Sequence, residues 1–431
     1  MIVPREMSLR KGDVLRVAGA AKITVVDGCM YALGCEMRSG ETLVVVSGRV
    51  VCCEALKDSK LKYLLGSGGS LSLAKPSEEV IGEWREKACE AVKEGGVVVV
   101  LGEVDSGKST YSTVLLNTAV NMGMRAAFVD EDLGQKDLGP PGTVALGFTD
   151  KPVYWLRDIP VNTLEFVGST TPSGYEAPVI LATLKLVKRG RANSDIVVVN
   201  TDGWVDDSKA LNFKVSLVRA LSPTCIIVMR GEGDSTVLSK ALSRLGFRVL
   251  EIPSPPARPR KTRSMRKTYR EMAMTSFLLG SKRLKIDGRR APLVIPPLFL
   301  GERRGDLEDK LRELLRISEL RVEVLGSLAV IAVRKPSDAA RIKRVARQVA
   351  GIIGVNRVIV IPVDELVDAY VGLYEEDGST LTCGVIRKID LERGCLYVDS
   401  PLEDTSSVRC MTVGRMKVGV DGREEGVIDI F

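Results

Sequence analysis

Residues 96–110 read GVVVVLGEVDSGKST, and this stretch decides the fold. Residues 97–101 are a continuous apolar run, mostly β-branched, as expected of a strand buried on both faces of a parallel sheet. Gly102-Glu103-Val104-Asp105-Ser106-Gly107-Lys108-Ser109 follows at once and fits G-x-x-x-x-G-K-[ST] in full. From Thr110 a helical stretch runs through Leu115, Leu116 and Ala119. Strand, glycine loop and helix are the context this motif requires. The glycines let backbone N–H groups wrap phosphates, and the helix N-terminus adds a favourable dipole. Lys108 is expected to reach the β- and γ-phosphates of a bound triphosphate, and Ser109 to ligate Mg²⁺. A chance glycine-rich turn would explain neither flank.

Outward from this loop, further strands are predicted at 126–129, 196–199, 225–229 and 248–252, separated mostly by helical stretches. That alternation predicts a doubly wound α/β core over residues 81–280. Residues 1–80 read as short strands broken by glycine turns, a small β domain. A helix is expected after them, with Ser77 as N-cap and an apolar face of Ile81, Trp84, Ala88 and Val92. Residues 281–431 read as a mixed, mainly β domain: helices at 307–317 and 338–351, strands at 328–333 and 357–361, and β character over the last sixty residues or so.

The loop by itself specifies nucleotide phosphate and no more. The sequence carries no clear N-K-x-D guanine-reading motif, and the strand at 196–199 leads into Asn200-Thr201-Asp202 rather than the acid pair of an ATP-driven motor. Histidine is absent from all 431 residues, which excludes Ser-His-Asp chemistry, imidazole acid–base catalysis and His-zinc sites. Nine cysteines, an odd number with no C-x-x-C pair, argue against a disulfide framework or zinc ribbon and for reduced, buried thiols. No run approaches the ~18 to 20 apolar residues of a membrane span, and no apolar h-region follows the N-terminal charges, so a cytoplasmic protein is expected. The net charge of +7 is uneven: Arg258 to Arg290 holds twelve Lys/Arg against Glu271 and Asp287. Such a cluster fits a polyanionic partner or a solvated helix face.

Any general base must then be a carboxylate, lysine, cysteine or tyrosine. The strand at 126–129 ends in Asp130-Glu131-Asp132-Leu133-Gly134-Gln135, and ligands of open α/β sheets bind beyond the strands' carboxyl ends. Asp132 is a candidate to take a proton from an attacking hydroxyl; holding metal or capping a helix are the alternatives.

GEVDSGKST, then DEDLGQ, then Pro141-Gly142 resemble the polynucleotide 5′-hydroxyl kinases, a family with eukaryotic mRNA 3′-end-processing, tRNA-splicing and pre-rRNA-processing members and stand-alone archaeal ones. The likeness continues in Phe166-Val167-Gly168-Ser169-Thr170-Thr171-Pro172, similar to F-G-x-T-T-P, and in Asn200-Thr201-Asp202-Gly203-Trp204, similar to N-T-x-G-W. RKTRSMRKTYREMAMTSFLLG resembles the arginine-rich lid, here about residues 258–270, and GCMYALGCEM is a faint match in the N-terminal domain.

The resemblance implies an ATP-dependent kinase, with GTP as an alternative donor, acting with Mg²⁺ on the 5′-hydroxyl of RNA, or of DNA. It implies that residues 102–109 with Thr110 hold the nucleotide and that Ser109 and Asp132 hold the metal. Asp132 would activate the hydroxyl, and Gln135 would sit near the reactive phosphate. Thr170 and Trp204 would hold the acceptor's terminal nucleotides, stacking on an indole being open to every base. Trp204 as a core aromatic is the alternative. Arg266 and Arg270 would close over the phosphates, four residues apart on one helical face. The third lid cation is open among Arg260, Lys261 and Arg263. Asp130-Glu131 is more acidic than the family pattern, adding a metal contact or a solvated pair. Arg49 is a candidate for the nucleobase or a plain surface arginine. A scaffold that binds ATP without transferring phosphate, and an NTPase that hydrolyses it for conformational change, are the competing readings.

Overall fold

The computed structural model describes residues 4–231, 235–257 and 260–428. The chain divides into two compact units, one comprising Met1–Gly139, Val144–Thr163 and Pro172–Arg266, the other Pro140–Thr143, Leu164–Thr171 and Lys267–Phe431.

The first unit is centred on a seven-stranded sheet, ordered Val161–Phe166, Thr143–Thr149, Ala126–Asp130, Ile196–Asn200, Gly96–Leu101, Cys225–Arg230, Val249–Pro253. Gly96–Leu101 runs parallel to both of its neighbours, and all five residues from Val97 to Leu101 are buried. This is the buried-strand pattern the run of valines predicts. Ala126–Asp130 is parallel to Ile196–Asn200, and Val249–Pro253 to Cys225–Arg230, while Thr143–Thr149 is antiparallel to Ala126–Asp130. Helices Ile81–Val92 and Lys108–Asn121 pack on each other, as do Glu176–Arg191 and Ser208–Leu221.

From Gly96–Leu101 the chain passes to one side of the sheet, and from Ile196–Asn200 it crosses to the other. That reversal opens a crevice at the strands' carboxyl ends, where such folds bind ligands. The glycine loop leaves the sheet there.

Residues 5–74 of the same unit form a four-stranded and a five-stranded antiparallel sheet. Alternate residues of the two, among them Leu15, Ile23, Met30, Leu43 and Leu61, share one core. The expected N-cap at Ser77 does not form: Pro76–Glu78 is a short 3-10 turn, and the helix begins after Val80 without a side-chain cap. Trp84, Ala88 and Val92 are buried as the periodicity predicts.

The second unit contains a sheet ordered Lys282–Asp287, Cys395–Ser400, Thr380–Asp390, Ala369–Tyr374, Cys410–Val418, Leu293–Ile295. A smaller sheet follows the order Glu302–Arg303, Leu320–Leu325, Leu328–Val333, Arg357–Pro362. Helices Gly305–Leu315, Pro336–Arg344 and Ala346–Ile353 cover it through Leu307, Leu311, Ile342 and Val349. The single helix expected over 338–351 is two, separated at Val345, whose φ of −114° leaves the helical region.

Candidate active site

The glycine loop is shaped by backbone geometry that side chains oppose. Gly102, Asp105 and Gly107 have φ of 151°, 58° and 103°. A Cβ on Gly102 would lie 2.7 Å from that of Met229. Lys108 opens the helix Lys108–Asn121 and curls back, its Nζ donating to the carbonyls of Gly102 (2.9 Å) and Glu103 (2.7 Å). Burial pushes this lysine down to about 8, against the pull of Asp132 and Asp202. A buried cation held by neutral carbonyls is under-compensated, so a phosphate meets an ammonium that gains by pairing. The hydroxyl of Ser106 is buried without a hydrogen-bond partner, and Ser109 and Thr110 are partly exposed beside it in sequence.

Three consecutive acids at the end of Ala126–Asp130 meet three fates. Asp130 is fully buried; its Oδ2 accepts from the N–H groups of Asp137 (2.9 Å) and Leu138 (3.0 Å), and Lys136 lies 3.6 Å away. Glu131 is also buried, its Oε2 accepting from Asp202 N–H (2.7 Å) and its Oε1 3.7 Å from the Lys214 ammonium without a hydrogen bond. Burial drives Glu131 well above the usual carboxylate range, with Lys214 opposing. Neither acid is solvated, which corrects one of the two readings open for the pair. Asp132 alone is half-buried. Its Oδ1 accepts from Gly134 N–H (2.9 Å) and Gln135 N–H (2.8 Å), and among the described residues no donor reaches Oδ2.

The segment after Ile196–Asn200 lies against the loop. A Cβ on Gly203 would come within 2.7 Å of Val104 Cα, so a side chain there would displace the loop. Trp204 is pinned three ways: its N–H donates to Asp202 Oδ1 (2.7 Å), its indole N–H to Asp207 Oδ2 (2.9 Å), and its ring stacks on Phe213 with centroids 6.0 Å apart. It remains partly exposed rather than a core aromatic.

Behind this segment the structure adds a residue that sequence reasoning missed. Lys214 is fully buried and bonds to the carboxylate of Asp202. Burial disfavours its charge, but Asp202 and Glu131 outweigh that and hold the lysine above its ordinary value. The signal was present: Ala210, Phe213, Leu217, Val218 and Leu221 form the buried face of Ser208–Leu221, and Lys214 interrupts it.

The basic helix Arg263–Leu278 begins beside the loop. Asp105 Oδ2 accepts from the Lys261 backbone N–H (3.0 Å) and the Arg266 guanidinium (3.1 Å), and Gln135 Nε2 reaches the Arg266 carbonyl (3.4 Å). Arg266 Nε is buried without a partner. Thus Lys108, Asp132, Gln135, Trp204 and Arg266 all belong to the first unit. Arg270 and Thr170 belong to the second, where Arg270 is held bidentate by Glu424 (2.5 and 3.0 Å). Arg258, at the start of the expected lid, lies outside the described residues. Arg49 pairs with Asp137 (2.6 Å) and stacks on Trp155, a structural engagement of its guanidinium.

Residues 102–280 match the family model described as mRNA cleavage and polyadenylation factor CLP1 P-loop. The chain is similar to the polyribonucleotide 5′-hydroxyl-kinase of Pyrococcus abyssi, 28% identical over 79% of this chain and 92% of that protein. It is also similar to that of Methanocaldococcus jannaschii, 28% identical over 77% and 90%. Among solved structures, the wild-type Clp1p–Pcf11p (454–563) complex contains a chain that superimposes with a TM-score of 0.64 at 12% identity, covering 97% of this chain and 98% of that one, a likeness of fold.

Proposed function

We propose that this chain, whose central residues 102–280 match the CLP1 P-loop family model, is an ATP-dependent polynucleotide 5′-hydroxyl kinase acting on RNA in the cytoplasm. The reading takes residues 1–80, 81–280 and 281–431 as N-terminal, kinase and C-terminal domains. The observation that carries it is a contrast within one acid run: Asp130 and Glu131 are buried beside lysines, while Asp132 keeps one carboxylate oxygen without a donor among the described residues.

Two backbone N–H groups fix Oδ1 and with it the orientation of the carboxylate. Oδ2 takes the proton of the acceptor 5′-hydroxyl as O5′ attacks the γ-phosphorus in line; the bond to the bridging oxygen breaks and the diphosphate leaves. Lys108 exchanges its loop carbonyls for phosphate oxygens, and Arg266 stabilises the charge spread over the transferring group. Trp204 offers its ring to the terminal base. Among the described residues no three Cys, Asp or Glu side chains form a metal cage, so Mg²⁺ fits Ser109 and Asp132 only together with nucleotide oxygens, where it would neutralise the β,γ-phosphates.

Incubation with γ-labelled ATP tests this directly. Label is expected on a 5′-hydroxyl oligoribonucleotide and not on its 5′-phosphorylated counterpart. ATP binding without transfer would leave the scaffold reading, and acceptor-independent hydrolysis the NTPase reading.

A further inference from the structure

The second unit carries a cationic face that the proposed chemistry does not use. From Ala339 to Val363 the sequence has Arg341, Lys343, Arg344, Arg347 and Arg357 and no Asp or Glu, five of the positive charges of a chain whose net charge is +7. All five are exposed.

The arginines around them are tied to carboxylates: Arg303 and Arg312 to Glu308, Arg321 to Glu323, Arg334 to Glu319, Arg387 to Asp399. Lys343, Arg344, Arg347 and Arg357 have no carboxylate within ion-pair distance among the described residues. Exposed cations without counter-charge give this part of the unit a positive potential that attracts a polyanion.

The chemistry of the face selects the partner. Helices Pro336–Arg344 and Ala346–Ile353 turn Ile342 and Val349 into their own core, and no large apolar side chain between residues 315 and 419 is exposed among those described. A bilayer-seated helix needs apolar side chains to insert, and a protein interface has an apolar centre. Cations alone fit phosphates spaced along a strand.

We propose that this face binds the phosphodiester backbone of the acceptor RNA away from its 5′ end, an inference that rests on the kinase reading for the identity of the strand. The site recognises charge rather than sequence, since phosphate contacts carry no base information.

The test combines Lys343→Gln, Arg344→Gln and Arg347→Gln, exposed substitutions that leave the core intact, with the unfolding midpoint as a check on the fold. The full chain is titrated with a long single-stranded RNA bearing a 5′-phosphate, which cannot accept a further phosphoryl group by this reaction. Three fewer phosphate contacts should make log affinity against log salt shallower by ~2. The KM for a long acceptor should rise several-fold while that for a dinucleotide acceptor is unchanged. An unchanged slope and KM would overturn the proposal. Wild-type RNA binding with the expected shallower slope in the variant, but no transfer to any acceptor, would support this face and remove the kinase reading instead.

Discussion

The two units hold charge in opposite ways. At the strand ends of the first, carboxylates are buried and a lysine accompanies each: Lys136 by Asp130, Lys214 by Glu131 and Asp202. On two helices of the second, Pro336–Arg344 and Ala346–Ile353, the exposed Lys343, Arg344 and Arg347 have no carboxylate within ion-pair distance among the described residues. Burial makes an uncompensated charge intolerable, whereas water tolerates it at little cost. The comparison therefore teaches where to look for ligands. In the first unit the informative atom is one that escapes compensation, Asp132 Oδ2; in the second it is a whole face.

Removing the compensation should break the first half of that comparison most severely. Lys214→Met leaves Asp202 and Glu131 buried without their cation, and a loss of about 3 to 5 kcal/mol in chemical denaturation is expected. Adding Asp202→Asn should recover part of it. A fully stable Lys214→Met protein would mean that the buried acids do not depend on the lysine.

A smaller effect sharpens the comparison at Lys108. Without nucleotide it titrates near pH 8, below a free lysine, because burial disfavours its charge. ATP favours the charged form and raises that value, so binding takes up a proton. ATP affinity should be flat well below pH 8 and weaken above it, by up to ~10-fold per unit, until the pKa of the complex is reached. Calorimetry in buffers of different ionisation heat reads the proton uptake directly; an affinity independent of pH between 7 and 9 would contradict the account.

Much of this was legible in the sequence, for identifiable reasons. The valine run and G-x-x-x-x-G-K-S specify the central strand and phosphate loop, because burial on both faces and close backbone approach leave few alternatives. The strand-end rule brought Asp132 and Gln135 to the carboxyl end of the sheet, while Trp204 was legible only through the family resemblance. What escaped was compensation. That Asp130 and Glu131 are buried depends on Lys136, six residues on, and on Lys214, more than eighty residues away, and pairing across such separations leaves no local pattern. Equal spacing on one helix likewise concealed that Arg266 meets Asp105 and Arg270 meets Glu424. The antiparallel strand Thr143–Thr149 and the break at Val345 were missed because neither interrupts the local apolar periodicity.

The central claim is that the uncompensated oxygen of Asp132 performs the proton transfer. Asp132→Asn keeps an oxygen able to accept from Gly134 and Gln135 but cannot take the proton. Transfer of labelled γ-phosphate to a 5′-hydroxyl oligoribonucleotide should fall ~10² to 10⁴-fold, with ATP binding within a few-fold of the parent. Turnover within a few-fold of the parent would contradict it.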